Sequence, residues 1–121
     1  MKMTANEMLE LVTHTLDMNK AQDIVVIPLE GKASYADYMV IASGTSGRHA
    51  SSLARITEDE LRKKDYKESI ISGRASGDWI LLDSGDIIIH IFRQEVREFY
   101  DLEKLWLDPE DLAKRAERDN T

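Results

Sequence analysis

The stretch from Asp78 to Trp106, DWILLDSGDIIIHIFRQEVREFYDLEKLW, carries most of what the chain says about its architecture. Trp79 to Leu82 and Ile87 to Phe92 are short, apolar and rich in β-branched or aromatic residues, and Ser84-Gly85 lies between them. That pattern predicts an antiparallel hairpin. Strand alternation puts Trp79 and Leu81 on one face and Ile80 and Leu82 on the other. An acidic, aromatic segment follows, and the chain's two tryptophans, Trp79 and Trp106, bracket the whole stretch. Between Asp78 and Asp111 ten acidic residues face three basic ones, a net of −7 that equals the net charge of the entire chain. The negative field is therefore expected on one face of this segment, and a basic surface is its natural partner.

Upstream, Thr4 and Glu7 form a capping box, each side chain within reach of the other's backbone amide. Ala5, Met8, Leu9, Val12 and Leu16 follow at helical spacing, so a first helix is predicted from about Ala5 to Asp17. Asp23 to Ile27 is β-branched and almost wholly apolar, which reads as a buried strand ended by Pro28. Tyr38 to Ala42 reads as a second buried strand. Gly44-Thr45-Ser46-Gly47 breaks it and opens a helix to about Lys64, with Ala50, Leu53, Thr57 and Leu61 as its core stripe. Ser69 to Ser72 is a short strand, and Gly73 to Gly77 a loop. The expected fold is α/β: a mixed sheet of about five strands with helices packed on it. Continuous apolar strands imply cover on much of both faces. The helix after the second strand suits a right-handed crossover to a parallel neighbour at Ser69–Ser72. Val96, Phe99 and Tyr100, with Leu102, Leu105 and Trp106, make a helical stripe expected to dock largely on the core. Asp108-Pro109-Glu110-Asp111 reads as a capped helix start, followed by a thinly apolar helix.

A chain of 121 residues, 42% hydrophobic and 32% charged, suits one domain. We expect residues 1–107 to form it and residues 108–121 to be a charged helical tail. With no cysteine there is no disulfide, thiolate nucleophile or cysteine-based zinc site. MKMTANEMLE lacks a signal-peptide core, and no apolar run approaches a membrane span. These features lead to the expectation of a cytoplasmic protein without a membrane partner. The acidic balance disfavours a broad nucleic-acid face, and no sequence-specific nucleic-acid contact is expected.

GDWILLDSGDIIIHIF followed by RQEVREFYDLEKLW strongly resembles the Iojap family, the ribosomal silencing factors, and KASYADYMVIASGTSGRH is similar to that family's strand-then-helix segment. The resemblance covers nearly all of residues 4–107. It implies a nucleotidyltransferase-like topology without an evident catalytic set. It further implies a factor that binds the large ribosomal subunit through ribosomal protein L fourteen and sterically blocks the small subunit, lowering translation without catalysis or cofactor. By position it points to Trp79 and Leu81 as apolar anchors and to Asp83 and Asp86 as charged or turn-setting partners. Arg97, Tyr100 and Trp106 complete the set, with Arg97 also suited to internal pairing and Tyr100 and Trp106 to structural roles. Ser84 stands where the family often has tyrosine.

Other residues invite chemistry of their own. Gly44, Thr45, Ser46 and Arg48, where a strand feeds a helix, suit an anion. An ordinary capped helix start explains the same residues and is favoured. Asp83, Asp86 and His90 raise a metal or acid–base reading. Nucleotidyl transfer wants closely paired carboxylates, however, and these two are separated by a turn whose amides they suit. His90, in an Ile-rich strand, reads as a hydrogen-bonded core histidine. No metal site and no activated nucleophile emerge. The alternative to the silencing factor is a nucleotidyltransferase-type enzyme or phosphate-binding domain. Strand edges and apolar patches leave a homodimer open.

Overall fold

A computed structural model describes residues 3–73 and 75–105. Helix α1 (Ala5–Met18) begins with the capping box: Thr4 Oγ1 accepts from the Glu7 amide and Glu7 Oε1 from the Thr4 amide, both at 3.1 Å. Met8, Val12, Thr15 and Leu16 are its buried stripe. Strands β1 (Gln22–Pro28) and β2 (Tyr38–Gly44) pair antiparallel. Helix α2 (Gly47–Lys63) starts at Ser46, whose side chain accepts from the His49 amide, and buries Ala50, Leu53, Ala54, Thr57 and Leu61. Thr57 is harmless in that stripe because its hydroxyl donates to the Leu53 carbonyl at 2.7 Å. Strand β3 (Ile70–Ser72), strands β4 (Trp79–Ser84) and β5 (Ile87–Arg93), helix α3 (Gln94–Tyr100) and a 3-10 turn (Leu102–Leu105) follow.

The sheet is mixed and five-stranded, in the order β1-β2-β5-β4-β3. The β4–β5 hairpin is antiparallel, with Ser84 opposite Ile87 across Gly85-Asp86 and hence Trp79 opposite Phe92 and Leu81 opposite His90. Strand β5 also pairs parallel with β2. Two expectations change here. The crossover does not join β2 to an adjacent parallel strand at 70–72. Helix α2 carries the chain to the far edge instead, and the β4–β5 hairpin fills the gap. β5 takes the centre because Ile87, Ile89, Ile91 and Phe92 need cover on both sides. Strand β1 is an edge strand rather than a buried one: among the described residues only β2 pairs with it, and of Gln22–Pro28 only Ile27 is fully enclosed.

Both long helices lie on one face of the sheet. There Met8, Val12, Leu16, Leu53 and Leu61 enclose Val40, Ala42, Ile80, Leu82, Ile87, Ile89 and Ile91 in one apolar cluster. A smaller cluster on the opposite face joins Ile27, Leu29, Met39, Ile41 and Phe92, with Ala33, Ala36, Val96 and Leu102 packed against it. That second layer stops short. The segment before β2 and helix α3 cover β1, β2 and one end of β5, but no helix among the described residues lies over β3 and β4 on this side. Ile70, whose register partner is Asp83, is 64% exposed there.

The candidate docking face

The open face is built by alternation. Trp79, Leu81 and Asp83 leave β4 on the side away from α1 and α2, because Ile80 and Leu82 occupy the helix side. Their partners across the register are Phe92, His90 and Ile88 on β5, with Ser72 and Ile70 facing Leu81 and Asp83 from β3. Trp79 is half-buried at the centre. Its indole stacks on Phe92 at a 5.0 Å centroid distance and 26°, and meets Tyr100 at 5.1 Å. Its Nε1–H donates to His90 Nδ1 at 3.0 Å. Burial lowers the His90 imidazole from 6.5 to about 4, so it is neutral near pH 7.

A groove of about 580 Å³ runs along this edge, lined by Ser76, Asp78, Trp79, Arg93, Glu95, Val96, Phe99 and Tyr100. Phe99 is 82% exposed and Tyr100 54%, their rings meeting edge-on at 5.2 Å. This departs from the expected core stripe: among its described residues Val96 and Leu102 pack against the core, while Phe99 and Tyr100 do not. Arg97 holds the helix the other way up. It is 8% exposed, and its guanidinium bonds Ser43 Oγ at 2.8 Å and the Asp23 carbonyl at 2.6 Å. The internal use foreseen for Arg97 is therefore met by a carbonyl and a hydroxyl of β1 and β2. With Arg97 facing in, Phe99, two positions on, faces out, because residues two apart do not share a helix face.

Acids rim this patch. Arg93 neutralises two of them, reaching Asp78 at 3.0 Å and Glu95 at 2.9 Å. Asp83 Oδ1 accepts from the Gly85 amide at 3.1 Å, which sets the turn, and neither Asp83 nor Asp86 has a cation within ion-pair distance among the described residues. The Asp86 carbonyl accepts from the Asp37 and Tyr38 amides, tying the turn to β2. Desolvation, and then the carboxylates of Glu68, Asp83 and Asp86, raise the Tyr66 phenol pKa above its ordinary value.

The anion-site candidates Gly44, Thr45, Ser46 and Arg48 lie beside the loop before β4, with Gly44 opposite Arg93 in the register and Gly47 packed against Gly77. The Thr45 amide donates to His49 Nδ1 at 2.9 Å, and His49 Nε2 bonds the Asn19 carbonyl at 2.9 Å, so the loop ties the start of α2 to the end of α1. Two amides an anion would use, those of Thr45 and His49, are thus already bonded within the chain. Gly44 is packed so closely on Ala50 that a Cβ would stand 2.7 Å from its amide nitrogen. Arg48 is exposed. Among the described residues no group of three His, Asp or Glu side chains is placed to hold a metal ion, and no helix is long and apolar enough to cross a membrane. Trp106 and the tail from residue 108 lie outside the described residues.

The structure brings Trp79, Leu81, Asp83 and Tyr100 onto one surface, with Asp86 at its rim, and sends Arg97 inward. From the sequence Phe99 is expected in a core-docking stripe and His90 as a hydrogen-bonded core histidine, so neither is assigned to the site. The tight turn held the missing signal: pairing Ser84 with Ile87 places His90 opposite Leu81 and on the same face as Trp79.

A mixed five-stranded sheet with both long helices on one side, and an aromatic and acidic patch left open on the other, defines an α/β domain with one half-covered face. A family model described as "Ribosomal silencing factor during starvation" matches residues 2–121. The chain is 52% identical over 99 residues to the ribosomal silencing factor RsfS of Zymomonas mobilis, covering 82% of this chain and 74% of that one. It is 39% identical over 99 residues to the RsfS of Haemophilus influenzae, covering 82% and 97%. A crystal structure of a protein from Chromobacterium violaceum superposes with a TM-score of 0.83 at 30% identity, covering 88% of this chain and 91% of that one. The chain belongs to the ribosomal silencing factor family, whose role is regulatory rather than catalytic.

Proposed function

We propose that this chain binds the large ribosomal subunit through ribosomal protein L fourteen, seating the Trp79–Leu81–Tyr100 face on it, and so keeps the small subunit from joining. The reading makes it a cytoplasmic repressor of translation that works by obstruction. The observation that carries it is the half-covered sheet: an aromatic cluster that α1 and α2 leave bare, rimmed by Asp83 and Asp86, whose carboxylates have no cation partner among the described residues. Aromatic anchors ringed by polar groups are the usual energetic centre of protein interfaces. Carboxylates at the rim speed encounter with a basic ribosomal protein and set its orientation. A rigid domain with such a face needs no chemistry to hold two large particles apart.

The test is co-sedimentation with purified large subunits of the unaltered chain and of a Trp79→Ala, Asp83→Arg double variant, both confirmed folded by circular dichroism and thermal melting. Binding by the first and loss by the second is expected, with small-subunit joining restored in parallel. Normal co-sedimentation of the folded double variant removes this surface from the account. Undiminished joining in an excess of the unaltered chain removes the obstruction mechanism.

A further inference from the structure

His90 is 8% exposed, and among the described residues only one of its ring nitrogens has a hydrogen-bond partner. Trp79 Nε1 can donate and never accept, so the 3.0 Å bond between it and His90 Nδ1 assigns Nδ1 as the acceptor. A neutral imidazole whose Nδ1 accepts must carry its proton on Nε2. Nothing among the described residues accepts from that Nε2–H. Nε2 lies at the end of the ring farthest from the backbone. His90 leaves β5 on the side opposite α1 and α2, because Ile89 and Ile91 occupy the helix side. The N–H is therefore carried outward, beneath the open face, between the indole of Trp79 and the neighbouring positions Leu81 and Ile41.

Buried donors in folded proteins are almost always paired, because an enclosed N–H without an acceptor forfeits its bond to water. We infer that the His90 Nε2–H is a recognition donor, satisfied when a partner protein seated on the Trp79 face places a neutral oxygen, a main-chain carbonyl, against it. The inference rests on the reading of that face as the docking surface, and names the chemistry at its centre. A carboxylate or phosphate oxygen is the poorer occupant on two counts. Asp83 shares the face and Asp78 stands at its rim, so an anion meets like charge. The residues flanking His90 on the neighbouring strands, Leu81 and Ile41, and the Trp79 ring are also apolar and do not solvate a charge. A carbonyl carries no net charge and arrives with the apolar surface that covers Trp79. Trp79 and His90 then act together: the indole supplies contact area and fixes the tautomer, and the imidazole supplies the directional bond.

The first measurement needs no variant. Long-range nitrogen–proton NMR of the free protein near pH 7 is expected to show His90 as the Nε2–H tautomer, and an Nδ1–H tautomer overturns the inference. The second is affinity for purified large ribosomal subunits. In His90→Asn the side-chain oxygen still accepts from Trp79 while no N–H reaches the ring tip, and binding is expected to weaken about tenfold with Trp79 fluorescence unchanged. In His90→Gln an amide N–H reaches the tip, and affinity is expected within about threefold of the unaltered chain. A folded Asn variant that binds as well as the unaltered chain overturns the inference, as does a Gln variant that loses as much as Asn. Failure of the unaltered chain itself to bind is a different result: it removes the docking reading before His90 is at issue.

Discussion

Arg97 reaches from helix α3 to Ser43 on β2, its Nη1 lying 2.8 Å from the serine hydroxyl, and this one link sets which side of α3 meets the solvent. Both groups are buried, and the same nitrogen holds the carbonyl of Asp23 on the neighbouring strand. Replacement by methionine keeps the apolar stem and strands a carbonyl and a hydroxyl. Arg97→Met is expected to lower stability by about 3 kcal/mol in urea unfolding. Arg97→Lys should recover only part of this, since an ammonium lacks the planar fork. A methionine variant as stable as the original would mean that α3 is held by Val96 and Leu102 alone.

Stability should depend on pH through His90. Its folded value is about 4 and its ordinary one 6.5, so between these values the unfolded chain holds a proton that the folded chain does not. The His90 contribution is therefore complete above pH 6.5 and is lost progressively as pH falls toward 4, by on the order of 3 kcal/mol. Urea unfolding of the original chain and of His90→Gln at pH 7.5 and 4.5 isolates this part from the carboxylates, which titrate in both. The original is expected to lose more stability than the variant across that interval. Equal losses would show that His90 titrates alike in the folded and unfolded chains.

Gly77 and Gly31 both have positive φ, +71° and +79°, but their surroundings differ. A Cβ on Gly77 would stand 2.6 Å from the Gly47 carbonyl oxygen, where the loop before β4 presses on the start of α2, whereas Gly31 has nothing within 4 Å. Gly31→Ala is expected to cost about 1 kcal/mol, the backbone term alone. Gly77→Ala adds a backbone clash and should cost about 3 kcal/mol. Thermal melts of the two variants compare them directly, and equal midpoints would mean that the loop yields freely.

Phe99, bare on α3, separates stability from binding. Phe99→Ser removes a ring that packs on little but Tyr100, so the unfolding free energy should stay within about 0.5 kcal/mol. Affinity for large subunits should fall about tenfold if the ring is an anchor of the docking face. Full binding by the serine variant would move the interface off α3 and onto the strands.

Much of the fold was legible because it is written locally. The capping box at Thr4 and Glu7, the stripe of Ala50, Leu53, Thr57 and Leu61, and the β4–β5 hairpin each depend on residues a few positions apart, and each appears where it was read. β1 was misjudged because apolar composition does not say whether a strand has one neighbour or two. The crossover was misplaced because β2 and β5 are brought together across the length of α2, β3 and β4. Half of the site was legible too: alternation alone put Trp79 and Leu81 on one face. The stripe on α3 misled because helical spacing identifies a shared face without saying whether the sheet ends beneath it. Arg97, read as a partner or ion-pair residue, turned out to serve two strands 54 and 74 positions away.

By itself the amino-acid sequence determined the helices, the strands, the face each strand residue takes and the family to which the chain belongs, because periodicity and turn chemistry act between near neighbours. Only the tertiary structure decided that α1 and α2 share one side of the sheet and leave Trp79, His90 and Asp83 on the other. Two long helices can shield a single face of five strands, and which face stays open depends on strand order and on the inward pull of Arg97, both set by contacts between residues far apart in the chain.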